Sequence, residues 1–289
     1  MKKKVAFLTT IFPMNEEFLD EFFHSLSNQT YKEFDIVIIN DGYEFLEKLK
    51  TKYQSLSIIE LPYSNTPAKN REFGINYVID HGYDLLIFGD SDDCFADNRV
   101  EKSNGLLADY DIVVNDLSLF QNHEIYKNRY ISNRLENKSE IKIDFIMDKN
   151  IFGLSNTAIN LESMGKVVFD KDLIAVDWFF YSTLLMENKK AVFTNETTTY
   201  YRQYETNTIG LGTQSAESIK MGLAVKKKHY ELLKDYNTDY LFMYNKIVNI
   251  VPNDEYCEDL NRFKQDTAIN LLWWENIRLP GVLNAVNTK

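Results

Sequence analysis

Asp90, Asp92 and Asp93 fall within four positions at the end of the run Asp84-Leu85-Leu86-Ile87-Phe88-Gly89-Asp90-Ser91-Asp92-Asp93. Carboxylates packed that densely cannot be buried unpaired, so they must face water, a cation or both. Hard oxygen donors suit Mn2+ or Mg2+, and such a cation in turn suits a phosphate-bearing substrate. A solvated acidic turn satisfies the same residues without any ligand. Another acid, Asp41, closes the apolar run Phe34 to Ile39 in Asn40-Asp41-Gly42. Asp177 precedes an aromatic-rich helix expected over Trp178 to Glu187, where on local grounds it is an N-cap.

The elements that must position these acids alternate regularly. Val5 to Ile11 is a β-branched, apolar first strand. Asn15 then caps a helix with early acids, on which Phe18, Leu19, Phe22, Phe23 and Leu26 recur at helical spacing and should face a sheet. Phe34 to Ile39 is the second strand, Glu44 to Tyr53 a helix, and Leu56 to Leu61 the third strand. After a loop over Pro62 to Pro67, a helix over Ala68 to Asp80 should turn Phe73, Tyr77 and Val78 inward. The fourth strand delivers Asp90. Short connections between alternating strands and helices mean parallel strands with right-handed crossovers, and ligands of such sheets bind beyond the strands' carboxyl ends. Asp41 and Asp90, at the ends of the second and fourth strands, are therefore expected at one edge.

Further along, a helix is expected over Asn98 to Leu107 and a strand at Ile112-Val113-Val114. Asp116 to Asp144 is polar with short aromatic segments, as in a hairpin, and Ile141 to Asp148 suits a short helix. Gly153 to Ala158 is a small-residue stretch that can approach a ligand closely or simply begin a strand. Lys190 to Phe193 and Thr197 to Tyr204 are two further strands, and Gly210-Leu211-Gly212 is a loop without the context of a dinucleotide motif. Helices are expected over residues 215–236, 240–251 and 254–277. The chain thus divides into an α/β domain over 1–212, with halves 1–115 and 116–212, and a helical C-terminal region over 213–289. Lys220, Lys226, Lys227, Lys228 and Lys234 make one C-terminal helix basic, and Trp273-Trp274 add apolar surface. A solvated lysine face over core tryptophans explains both; docking to an anionic membrane or a partner subunit is the sharper reading.

A formal net charge of -11 excludes bulk attraction to nucleic acid. Cys94 and Cys257 make no disulfide framework, and His24, His81, His123 and His229 have no metal-binding spacing. The apolar run Val5 to Leu8 is too short for a signal segment, and no stretch has the length of a membrane span. These features suggest a reduced, cytoplasmic protein, with peripheral contact at the inner face of a membrane through the C-terminal helices, and self-association, as further expectations.

Several motifs in order resemble the family 2 glycosyltransferases. They are Met14-Asn15 after the first strand, Ser25-Leu26-Ser27-Asn28-Gln29-Thr30-Tyr31, Ile38-Ile39-Asn40-Asp41-Gly42, Arg71-Glu72-Phe73-Gly74-Ile75, and Phe88 to Asp93 as a DxDD cluster. The resemblance implies the α/β fold called GT-A: a Rossmann-like, mostly parallel sheet flanked by helices, here with a helical C-terminal appendage. It also implies inverting transfer from a nucleotide-sugar, with uridine as the base, to a saccharide or lipid-linked saccharide of a surface polysaccharide or glycolipid. Asn15, Asp41, Arg71 and Asp90 would bind the nucleotide, Asp41 at the base and Asp90 at the ribose. Asp92, with Asp93 beside it, would hold Mn2+ or Mg2+ at the diphosphate, and Asp177 would be the general base. Two departures stand out. Phe12-Pro13-Met14 replaces the usual P-T-Y, and Tyr201-Arg202-Gln203-Tyr204 puts Tyr204 where the family's Y-R-x-H has a histidine, leaving Arg202 and Tyr204 to serve the diphosphate. That second departure keeps open a catalytically silent nucleotide-sugar-binding or scaffold subunit. A dehalogenase-type phosphatase is disfavoured, because its acids follow a first strand and not a fourth.

Overall fold

The computed structural model describes residues 3–204, 215–250, 263–264 and 270–279. They divide into two units, Met1–Ile141 with Phe152–Asp172 and Asn188–Glu205, and Lys142–Ile151 with Leu173–Glu187 and Thr206–Lys289.

The first unit begins with the expected alternation: β1 (Val5–Ile11), α1 (Glu16–Ser27), β2 (Asp35–Asn40), α2 (Leu46–Lys52), β3 (Ser57–Pro62), α3 (Pro67–Asp80) and β4 (Leu85–Phe88). β1 runs parallel to β2 and β4, with Phe7 opposite both Ile36 and Ile87, and β2 runs parallel to β3. The Asn15 side chain caps α1 by accepting from the Glu17 amide, 3.0 Å away. Leu19, Phe22, Phe23 and Leu26 of that helix are buried in one cluster with Val5, Phe7, Ile36 and Ile38 of the strands. Phe18 lies only half-buried, at the helix flank. α3 buries Val78 as expected but otherwise departs from the expected face. Its buried row is Asn70, Gly74, Ile75 and Val78, whereas Phe73 and Tyr77 are half-exposed and stack on Tyr63 and His81. Gly74 explains the rotation: a Cβ there would sit 2.8 Å from the Leu8 side chain, so the helix lies closest to the sheet along its glycine row.

The unit continues with β5 (Cys94–Phe95), α4 (Arg99–Leu106), β6 (Ile112–Gln121), β7 (Glu124–Lys127), β8 (Glu140–Ile141), β9 (Thr157–Asn160) and β10 (Ala191–Arg202). Among the described residues one sheet results, in the order β3-β2-β1-β4-β9-β6-β10-β5, with β7 on β6 and β8 on β10. β9 is antiparallel to both β4 and β6, so the all-parallel part ends at β4; β6 and β10 pair in parallel. This is a mixed α/β sheet flanked by helices. The fully buried Arg99 ties three strands together, donating to Phe88 O at 2.7 Å, Asn115 Oδ1 at 2.9 Å and Thr157 O at 3.3 Å.

Three local expectations are corrected. Asp116 to Phe120 is no polar hairpin arm but the buried continuation of β6, where Asp116 Oδ1 accepts from the backbone of Leu117 and Ile131. The hairpin turn comes later, at Asn122 and His123, both at positive φ. The two strands expected over 190–204 form the single strand β10, with a register irregularity between Thr194 and Thr198. Residues 141–148 hold the end of β8 and a 3-10 turn over Ile143–Ile146 instead of one short helix.

The second unit contains that turn, α5 (Val176–Met186), α6 (Ala216–Leu233) and α7 (Thr238–Ile250). Trp178 is fully buried, donating its indole N–H to Ile146 O at 2.7 Å and stacking on His229 with 3.9 Å between ring centroids. Lys226 corrects the solvated-lysine reading: it is 1% exposed, donates to Asp148 O and is not part of a surface face. The helix expected over 254–277 is absent from its described part, where residues 270–277 form turns and isolated bridges, Asn150 to Trp273 and Lys264 to Ile277, with both tryptophans buried. Cys257 and the Gly210-Leu211-Gly212 loop lie outside the described residues. Among the described residues no helix is long and apolar enough to cross a membrane.

Candidate active site

The edge at the carboxyl ends of β1, β2 and β4 is built by the turns that follow those strands. The Asp41 amide donates to Ile11 O at 2.7 Å, which joins the ends of β1 and β2, and Gly42 follows at φ +86°, a conformation an L side chain resists. After β4 the backbone turns at once, with the Asp93 amide donating to Asp90 O at 3.2 Å. Gly89 makes the turn fit, since a Cβ there would lie 2.5 Å from the Phe7 ring and 2.6 Å from Phe95. The Ser91 hydroxyl docks the turn onto β1 by donating to Thr10 O at 2.8 Å.

Consecutive residues of α3 reach the two strand-terminal acids. Asn70 donates to Asp41 Oδ2 at 2.8 Å, and Arg71 donates to Asp90 Oδ1 at 3.0 Å. The structure thus brings Asp41, Asp90 and Arg71 to one edge through the first turns of a single helix. Asn70, which the sequence did not single out, is buried; its Oδ1 has no hydrogen-bond partner among the described residues. It borders a small recess with Thr10, Arg71, Gly89 and Asp90. Desolvation raises the Asp90 carboxyl, Arg71 pulls it down, and Asp92 adds to the rise.

Asp92 and Asp93 are adjacent yet differently placed. Asp93 is 1% exposed, and its two oxygens accept from the Ser155 hydroxyl and from the Arg202 amide at 2.8 Å. Burial, then the charges of Asp92 and Asp90, push its carboxyl well above the usual range. Asp92 is half-buried, and its Oδ2 accepts from the Tyr204 hydroxyl at 2.7 Å. Burial and the Asp92 charge raise the Tyr204 phenol, so it stays a donor. Arg202 lies behind this turn, not in open solvent. At 3% exposure its Nε donates to Asp92 O at 2.6 Å, its guanidinium pairs with Glu21 of α1, and Phe18 and Phe120 each lie within about 4.3 Å of it. The Cys94 thiol beside it is pushed up to about 12 by burial and so stays protonated at neutral pH.

Of the other residues singled out by sequence, Asn15 uses its side chain as the α1 cap. Asp177 belongs to the second unit, in the first turn of α5 with Ala175 as the cap residue, and its Oδ1 accepts from the Trp178 amide at 2.8 Å. Glu21 and Ser155 escaped sequence reading. Ser155 had a signal in the Gly153 to Ala158 stretch, while Glu21 looked like any solvated acid on an amphipathic helix.

Among the described residues no group of three or more His, Cys, Asp or Glu side chains is arranged to hold a metal ion. The donors nonetheless fit a divalent cation of the Mg2+ type. Such ions take one or two carboxylates from protein and the remaining oxygens from water and substrate phosphate. Asp92 offers that carboxylate at a strand end, with Asp90 two residues away.

Comparison with known proteins adds three findings. A family model described as glycosyl transferase family 2 matches residues 11–162. No curated protein matches the chain. Among solved structures, S. aureus TarS superposes with a TM-score of 0.60 at 14% identity, covering 90% of this chain and 45% of TarS. GalNAc-T7, solved with UDP, GalNAc and Mn2+, gives 0.60 at 12% identity, covering 90% of this chain and 53% of that one. Mannosyltransferase PcManGT from Pyrobaculum calidifontis, solved with GDP-Man and Mn2+, gives 0.55 at 11%, covering 91% and 78%. The chain spans about half the length of TarS and of GalNAc-T7, and at these identities the shared property is the fold.

Proposed function

The chain belongs to glycosyl transferase family 2, and on that premise we propose that it transfers a sugar, with inversion, from a nucleoside-diphosphate donor to a hydroxyl of a saccharide or glycolipid. The single observation that carries the donor reading is the pair of contacts Asn70–Asp41 and Arg71–Asp90, which lines up two strand-end carboxylates through one helix end. Carboxylates there can accept from a base N–H and from ribose hydroxyls, and Arg71 supplies positive charge in a protein of net charge -11. UDP is the nucleotide we infer; proteins of the same fold are solved with UDP or with GDP-Man.

In the proposed reaction the acceptor hydroxyl oxygen bonds to the anomeric carbon as the bond from that carbon to the diphosphate oxygen breaks. The Asp177 carboxylate takes the hydroxyl proton. Asp92 would hold Mn2+ or Mg2+, which when bound supplies positive charge to the leaving diphosphate. Asp93, with both oxygens engaged by protein donors, frames the turn; Asn15 serves the nucleotide indirectly by fixing the start of α1.

A second reading, a nucleotide-sugar-binding subunit without turnover, is favoured by one observation: Arg202 is paired with Glu21 and Tyr204 is engaged by Asp92, so both residues proposed for the diphosphate already have protein partners. Thermal stabilisation by UDP, GDP and their sugars, with Mn2+ and with chelator, tests the donor. Stabilisation by UDP that needs Mn2+ is expected; none with any nucleotide defeats the reading. Turnover of the stabilising sugar nucleotide then separates enzyme from binder. Asp177→Asn should lower it by about 100-fold or more while leaving UDP binding intact. Undiminished turnover in that variant removes Asp177 as the base.

A further inference from the structure

Glu21 is the acid for which the donor reading has no use, and it sits at a junction. It lies on the second turn of α1, pairs with Arg202 from the far end of β10, and its Oε1 is 2.8 Å from Nδ1 of His123 in the β6–β7 turn. Arg202 in turn is nearly sealed from solvent between Phe18 and Phe120. Two of its donors reach the acidic turn, Nε to Asp92 O and the backbone amide to Asp93 Oδ1, while Tyr204, two residues on, reaches Asp92 Oδ2. The end of β10 therefore grips the acidic turn at three atoms, and the grip is seated on Glu21. A guanidinium at this depth is costly without an opposing charge. Glu21 supplies that charge at Nη2, beside the Nε that holds the Asp92 carbonyl.

We propose that Glu21 is a positioning residue: by holding Arg202 it fixes the backbone carbonyl of Asp92 and the carboxyl of Asp93, and so sets where the Asp92 carboxylate is presented. This rests on the reading of Asp92 as the residue that holds the cation. Glu21 makes its contacts with Arg202 and His123, and its effect on the turn passes through Arg202. The geometry also reassigns Arg202, which the sequence offered as a diphosphate contact, to the frame of the turn.

Two measurements on the full chain test this. The first is amide hydrogen exchange without any ligand, comparing wild type with Glu21→Gln. Charge-assisted hydrogen bonds of this kind are worth enough that losing one should speed exchange at Ser91 to Cys94 about 10-fold, with β2 and α3 unchanged. The second is the Mn2+ concentration giving half of the UDP-induced stabilisation. It should rise about 10-fold in Glu21→Gln, with UDP binding in chelator unaltered. If Glu21→Gln is too unstable to study, the neutral pair Glu21→Gln with Arg202→Met removes the stranded charge and should show the same two changes. Wild-type exchange in the turn together with a wild-type Mn2+ requirement, in either folded variant, overturns the proposal. A wild-type protein indifferent to UDP and Mn2+ defeats the donor reading instead, and the exchange measurement then decides on Glu21 alone.

Discussion

The Tyr204 hydroxyl donates to Asp92 Oδ2 across 2.7 Å, bringing the residue two positions past the end of β10 onto the acidic turn. The phenol can donate but, with its ionisation pushed up, does not carry charge, so it orients the carboxylate without competing for a cation's charge.

Tyr204→Phe should leave the fold intact and raise the Mn2+ concentration needed for UDP stabilisation by about 3- to 10-fold, the net worth of one ordinary hydrogen bond to a half-buried group. Titration of Mn2+ at fixed UDP, followed by thermal shift, checks this. No change would mean that Asp92 is aimed by the backbone alone.

Gly89→Ala should destabilise the first unit by about 1–3 kcal/mol, because the new methyl group meets the Phe7 and Phe95 rings at about 2.5 Å. Either the rings or the acidic turn must move, so UDP binding should weaken as well. Gly42→Ala provides the contrast: its Cβ meets nothing within 4 Å, so only the strain of φ +86° is felt. Denaturant midpoints for the two variants, with UDP titrations, distinguish steric from conformational cost.

Lys226 gives the second unit a pH dependence. Burial lowers its amine to about 8, against a partly compensating pull from Asp148 and Glu275. An unfolded lysine keeps its proton until about pH 10.4. Between those values the unfolded chain binds more protons than the folded one, so the Lys226 contribution to stability rises with pH, by at most about 3 kcal/mol. Lys226→Met should be relatively more stable at pH 7 than at pH 9.5 when compared with wild type. Chemical denaturation of both proteins at the two pH values measures the difference; an equal gap at both would mean that folded Lys226 keeps its proton up to pH 9.5, so that burial does not lower its amine.

The same sign holds for His229 in a more acidic window: complete burial, then the charge of Lys226, lowers its ring pKa well below the usual value. The folded protein keeps it neutral while an unfolded histidine gains a proton below about pH 6.5, so stability should fall as pH drops through that point. His229→Phe should blunt this acid sensitivity in the same denaturation experiment.

The sequence by itself determined whatever depends on near neighbours in the chain. Alternating apolar runs and turn residues fixed β1 to β4 with their helices, Asn15 declared the start of α1, and strand-end placement put Asp41 and Asp90 at a common edge. Those signals are local: a strand's period, a cap's side chain and a turn's glycine act within a few residues. Tertiary structure decided which charges are paired. Glu21 and Arg202 stand 181 positions apart, and nothing near either one distinguishes a buried ion pair from two solvated side chains. Lys226, inside a run of three lysines, is buried only because the Asp148 carbonyl and Trp178 close over it from other segments. The rotation of α3 was likewise hidden, since helical spacing offers more than one apolar stripe and the contact of Gly74 with Leu8 of β1 chose between them. Burial of charge and choice of helix face are set by what packs across space, and a single chain read in order does not contain that information.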